Sequence, residues 1–201
     1  VPLALDAKGE PIRKGHDLYK LAYAKSFGIK PEAVSKDNRQ VGKVQELALG
    51  YEGGVGAFLT FAAAYNIDLE AMGEQAIDAI PDAIMSEAAR ALEWTKQQKR
   101  PTFGLSDRAW LVCDSFKRSW RYAHPAISSF WKDLEEAARL AVMRPGVTYE
   151  CRMLKLRRDG AWLRIRLPSG RFLCYPSPQL DDAGKLSYMG VNQYSRKWSR
   201  L

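Results

Sequence analysis

Apolar positions recur at helical spacing from residue 16 to about residue 143, then change to the two-residue alternation of strands between about 147 and 175. The first 15 residues read as loop, and residues 176–201 carry no strong period. Leu18, Leu21 and Ala22 mark a helix over 17–27, capped by Asp17 and stopped by Gly28. Ser35 is placed to cap the next helix, expected over 36–52. The small apolar run over 56–65 either continues that helix or begins a new one. Further helices are expected over 68–79, ending at Pro81, and over 82–99, ending at Pro101. Another starts at Ser106 and carries Trp110, Leu111 and Phe116. A last one opens at Pro125, a residue suited to the first helical position. Ile127, Phe130, Trp131, Leu134, Ala138 and Val142 give it a buried face.

In the strand region Leu154, Leu156, Leu163, Ile165 and Leu167 alternate with Lys155, Arg157, Arg164 and Arg166. Asp159-Gly160 and Ser169-Gly170 supply the turns, the second leading into 171–175. One face of this sheet is apolar and needs a helix, or a segment outside the chain, to cover it. The other is strongly basic. The pattern predicts a mainly α chain with a small antiparallel β-hairpin or meander, an α+β class. The helical region covers 1–146 and the β region 147–201. The chain does not start or stop like a complete domain, and an excised fragment is expected.

Composition narrows the function classes. The 201 residues are 46% hydrophobic and 27% charged, which excludes a disordered tail, a collagen and a coiled-coil rod. There is no run of 18 apolar residues and no signal peptide, so no membrane partner is expected. Three scattered cysteines give no disulfide framework and suggest a reducing compartment such as the cytoplasm. His16 and His124 are far apart and the cysteines lack metal spacing, so no bound metal is expected. Lys and Arg number 31 against 23 Asp and Glu, a net charge of +8 that favours polyanions.

The charge is placed in three ways. Arg39, Lys43, Leu47 and Tyr51 recur every fourth residue and form one slowly drifting helical stripe. Two cations, an apolar residue and a ring suit a ligand with a polyphosphate end and a flat end. An amphipathic helix with snorkelling cations accounts for the same spacing. Glycines at 50, 53, 54 and 56 crowd its end. Lys117, Arg118 and Arg121 interleave with Trp120 and Tyr122, either to grip a phosphate backbone or as the wet side of a helix with a buried Trp. Lys155, Arg157, Arg164, Arg166 and Arg171 make the basic sheet face, a candidate for a nucleic-acid backbone or simply a solvated surface.

The segment over 39–51 resembles the nucleotide-binding motif on the fingers of family A DNA polymerases, the polymerase I class. That motif is an Arg, a Lys four residues on, an aromatic four further and a Tyr four further again, followed by glycine. Arg39, Lys43 and Tyr51 match it. Leu47 stands where the family has Phe or Tyr, and Glu52 where it commonly has glycine. The wording GKVQELALGYEGGVGAF is closer to phage and prophage members than to the bacterial repair enzyme. DLYKLAYAKSFG resembles the segment preceding the motif, with Tyr19 in place of the usual His. HPAISSFWKDLEEAARLAV and LPSGRFLCY resemble the phage-type helix after the fingers and the basic hairpin returning toward the palm. The likeness covers about residues 15–60 and 118–201.

The resemblance implies a partial fingers–palm architecture, with a nucleotide-binding helix near 36–52. Arg39 and Lys43 would hold the triphosphate of an incoming deoxynucleotide, each charge-assisted bond worth about 1.5–3 kcal/mol. Tyr51 would sit at the insertion site, Leu47 by the sugar and base, and Tyr19 beside the phosphates as a neutral donor. Gln45 or Glu46 would be placed to reach a neighbouring duplex. Partners implied are a DNA template–primer, deoxynucleoside triphosphates and palm segments of the same polymerase. The family's two metal-binding carboxylates, on an upstream strand and in a downstream His-Asp-Glu segment, have no counterpart here. Asp181, Asp182, Asp133, Glu135 and Glu136 do not replace them. Mg2+ is therefore implied for the complete enzyme, no cofactor for this chain, no catalytic residue is assigned, and the chain alone is expected to be inactive. The second reading is a non-catalytic nucleic-acid-binding domain.

Overall fold

The computed structural model describes residue 5, residues 7–9, residues 15–193 and residues 195–201, with backbone only at residue 75. The expected loop over the first 15 residues lies largely outside these. About half of the chain is helical and the rest carries small antiparallel sheets, an α+β class. The chain forms two compact units, Val1–Pro125 and Ala126–Leu201. The division falls at the start of the last helix, where the alternation pattern alone had suggested 146/147.

The first unit is built on α1 (Leu18–Phe27), α2 (Lys36–Val44), α3 (Val55–Ala64), α4 (Leu69–Ala76), α5 (Asp82–Gln97) and α6 (Asp107–Ala123). Four of them start on a side-chain cap. The carboxylates of Asp17 and Asp68 and the hydroxyls of Ser35 and Ser106 accept backbone N–H groups two or three residues on. Gly28 ends α1 at φ 62°, the left-handed conformation that glycine adopts freely. α6 is central and packs against α1, α3, α4 and α5. Its Val112, Cys113, Phe116 and Trp120 are buried, and the rings of Phe27 and Phe58 lie 4.9 and 5.8 Å from that of Phe116.

The expected single helix over 36–52 is not one α-helix. α2 stops at Val44, and Gln45–Leu49 form a π turn, whose hydrogen bonds span one residue more than those of an α-helix. The helix then ends, and Tyr51 and Glu52 lie in a turn in which Glu52 takes φ 63°. The run after it is a new helix, α3, not a continuation. α1 and α2 touch at Gly42. A Cβ there would stand 2.1 Å from the backbone oxygen of Tyr19, so the helices meet this closely only because residue 42 has no side chain.

In the second unit α7 (Pro125–Met143) covers a four-stranded antiparallel sheet of β1 (Thr148–Cys151), β2 (Leu154–Asp159), β3 (Trp162–Arg166) and β4 (Phe172–Pro176), in chain order. Ala137, Ala138, Ala141 and Val142 of α7 pack on Cys151, Leu156, Leu163 and Ile165. A helix of the same chain thus covers the apolar face. The β2–β3 turn is the two residues 160–161, with Gly160 at φ 55° in its first position. Residues 176–201, without period in the sequence, form two short ladders, β5 (Gln179–Leu180) with β6 (Leu186–Ser187) and β7 (Met189–Val191) with β8 (Trp198–Arg200). No helix among the described residues is long and apolar enough to cross a membrane.

Candidate functional site

In the first unit α2 carries Arg39 and Lys43 one turn apart, and α1 supplies what surrounds Arg39. The Asp17 carboxylate, already the cap of α1, accepts a hydrogen bond from the Arg39 guanidinium at 2.8 Å. That bond, with those from the backbone of Tyr19 and Lys20, holds the Asp17 carboxyl below the ordinary carboxylate range. The Tyr19 ring lies 5.0 Å from the same guanidinium. Asp17, Tyr19 and Arg39 are thus one cluster. Only part of the guanidinium is engaged, since it carries five N–H donors.

Lys43 is half-buried, its ammonium 4.2 Å from the centre of the Tyr65 ring. Among the described residues it has no carboxylate partner. Leu47 sits half-buried in the π turn, and Tyr51 stands beyond the helix end with 84% of its surface exposed. The stripe therefore holds as a regular helical row only through Lys43. The expectation that Gln45 or Glu46 reaches outward fails. Gln45 is fully buried. The Glu46 carboxylate accepts a hydrogen bond from the Trp120 indole at 3.0 Å, and His124 stacks on that indole at 4.2 Å.

The interleaved patch on α6 is largely consumed by the fold. Asp114, 1% exposed, accepts hydrogen bonds from both Lys117 and Arg118, and Arg118 also reaches Glu87 at 2.7 Å. Burial lowers the pKa of Lys117, against the pull of Asp114. Glu87 also accepts from the Tyr122 hydroxyl and is held below its usual range, first by that bond and then by Arg118. Arg121 donates to the carbonyl of Glu52 at 3.3 Å. Lys117 and Arg118 are internal counter-charges, which the spacing of cations and rings did not reveal.

The sheet keeps its basic face. Lys155 lies directly opposite Arg166, and Arg157 opposite Arg164, all four lining a shallow depression with Thr148, Asp159 and Phe172. Glu150 takes Lys155 at 2.7 Å and is held below its usual range by it, while Asp159 takes Arg157 at 2.7 Å. Arg171 donates to the Ser169 hydroxyl beside the β3–β4 turn. The second unit has 14 Lys and Arg against 7 Asp and Glu, and the first 17 against 16. Almost all of the excess positive charge is in the unit that bears the sheet. No group of three or more His, Cys, Asp or Glu side chains that could hold a metal ion occurs among the described residues.

Over 192 residues, 92% of its length, the sequence is 33% identical to the DNA polymerase of Bacillus phage SP02. The chain is similar to part of a phage DNA polymerase. It spans 23% of that protein's length. No family model and no solved structure matches it.

Proposed function

We propose that this chain is the incoming-nucleotide and template–primer binding portion of a DNA-directed DNA polymerase used in replication, equivalent to the fingers of family A with its palm-side flanks. The observation that carries this reading is Arg39 and Lys43 on successive turns of α2, with Asp17 and Tyr19 against the first cation and, among the described residues, no acid against the second. It lies in a sequence alike to a phage DNA polymerase over nearly its whole length.

In this reading Arg39 and Lys43 take the phosphates of a deoxynucleoside triphosphate. Charge-assisted bonds to phosphate are stronger than neutral ones, and the two cations lie one turn apart, so one chain of phosphates can bridge them. Asp17 fixes Arg39 so that less side-chain freedom is lost on binding. Tyr51 is exposed and available to a base. The phosphates of template and primer lie on the basic sheet face. Magnesium supplies charge stabilisation to nucleotidyl transfer, but the described residues include no group of three or more His, Cys, Asp or Glu side chains that fits it. Palm segments of the same polymerase are the partners this reading calls for.

Lys43→Ala is expected to weaken binding of a deoxynucleoside triphosphate by about tenfold or more while changing binding of the free nucleoside little, because the missing partner is phosphate. Calorimetric titration with both ligands decides it. Equal losses for both would put Lys43 outside any phosphate site. The second reading, a non-catalytic DNA-binding domain, is favoured by the charge excess in the second unit and needs DNA binding without triphosphate binding.

A further inference from the structure

We propose that the basic face of the four-stranded sheet binds single-stranded DNA, with Trp162 and Phe172 as stacking platforms for bases and Lys155, Arg157, Arg164 and Arg166 as phosphate contacts. This rests on the reading of the second unit as DNA-binding and adds the form of DNA and the residues that select it.

The register fixes which side chains share the face. Asp159 is paired with Trp162, Arg157 with Arg164 and Lys155 with Arg166 across β2 and β3. Arg166 is paired with Phe172 and Arg164 with Cys174 across β3 and β4. Directly paired residues lie on one side of a pleated sheet. The basic face therefore also carries Trp162, 42% exposed, and Phe172, 53% exposed. The opposite face holds the core against α7, so folding does not need these two rings where they are. Trp162 and Arg166 are four residues apart on β3, about 13 Å along the strand. Phe172 adjoins Arg166 and ends the row of Lys155 and Arg166, so the rings mark two ends of the face, with the Arg157–Arg164 pair in the row between them.

Opposed like charges destabilise a sheet unless an anion is shared between them. Here two such pairs stand side by side. Their acids, Glu150 and Asp159, form exposed ion pairs of the kind that give way to a stronger anion, and Arg166 has no acidic partner among the described residues. Cations in rows with exposed rings at the ends are the chemistry of single-strand binding. The backbone crosses the cations and unstacked bases lie on the rings. In a duplex the bases are stacked on each other and out of reach, so a duplex can use only the cations.

The test uses the whole 201-residue chain with fluorescently labelled dT12 and a 12-base-pair duplex, read by anisotropy over a range of salt. The expected result is tighter binding of dT12. The double variant Trp162→Ala/Phe172→Ala should lose about 25-fold or more on dT12, fivefold for each ring. It should stay within about twofold of the parent on the duplex and keep the parent's salt slope. Arg164→Gln/Arg166→Gln should weaken both forms and lower the single-strand slope by about 0.7 for each phosphate left without its cation. Trp162→Phe/Phe172→Tyr keeps both rings and should keep dT12 affinity, which separates stacking from folding. Cys174, exposed on this face while Cys113 and Cys151 are buried, gives a readout in the unaltered chain. dT12 should slow its alkylation. Equal affinity for both DNA forms, ring variants that bind like the parent, failure to protect Cys174, or much tighter binding of oligo-U would each overturn the proposal. None of these substitutions touches α2. Triphosphate binding through Lys43 therefore reports separately on the nucleotide reading.

Discussion

Asp17 does two jobs at once. It caps α1, which needs only a side-chain oxygen, and it fixes Arg39, which needs the ionised carboxylate. Its folded-state pKa is depressed, so its contribution is present above the ordinary carboxylate range and is lost as pH falls through the lower, folded value. Asn caps a helix about as well as Asp. Asp17→Asn thus removes the charge while leaving the cap. The variant should be less stable at pH 7, and thermal unfolding between pH 7 and pH 2 should show it losing less than the parent in the acid limb. Parallel curves for the two proteins would mean that the ion pair contributes nothing. The cationic stripe could be read from spacing, because four residues in a helix return nearly to the same side. Its partner could not, because Asp17 is 22 residues from Arg39 and its only local signal was a capping position. Lys117 and Arg118 were the opposite case, since their partner is local. Asp114 sits three and four residues before them, the spacing of an intrahelical pair, and that signal would have marked them as neutralised. Trp162 could also have been found, since the strand alternation that placed Arg164 and Arg166 on one face places residue 162 there too.

Among the elements, α1 and α2 are the pair on which the nucleotide reading depends, and Gly42 is what lets them meet. Gly42→Ala would gain about 1 kcal/mol in helix propensity. The added methyl would stand 2.1 Å from a backbone oxygen, a clash that no rotamer relieves, so α1 must move. Overpacking of this kind costs about 1–3 kcal/mol, and the net expectation is a loss in stability of the first unit. Denaturant unfolding followed by helical signal is the measurement, and a more stable variant would refute the close approach of the two helices. The helix caps and stops were legible because each is a local event, a side chain or a glycine acting within one turn. The π turn was not. Its residues, Gln45–Leu49, have ordinary helical composition, and the extra residue is accommodated by burial of Gln45, Ala48 and Leu49 in the first unit. Nor were the ladders of residues 176–201, whose strands of two or three residues are too short to show a period.

Along the whole chain, a nearly neutral helical unit, 17 cations to 16 acids, is followed in sequence by a unit with twice as many cations as acids. This partition suits one unit that handles a small ligand and another that handles a polyanion. Positioning and charge stabilisation supply most of phosphoryl-transfer catalysis, and without fixed carboxylates the metal ions have no seat. Residues 1–201 given primer, template, magnesium and all four deoxynucleotides are therefore expected to extend no primer. Extension that survives repurification and vanishes on replacing Arg39 and Lys43 would show that a local acid, such as Asp181 or Asp182, had been misjudged. The sheet of the second unit has one more consequence. Its four strands lie in space in the order in which they leave the chain, joined by short turns, and the helix that covers them comes immediately before. Closing such turns costs little chain entropy, and a topology made of near neighbours folds faster than one assembled from distant segments. On a ribosome the second unit can begin to pair as soon as its own residues emerge, with no need to wait for or borrow a strand from the helical unit.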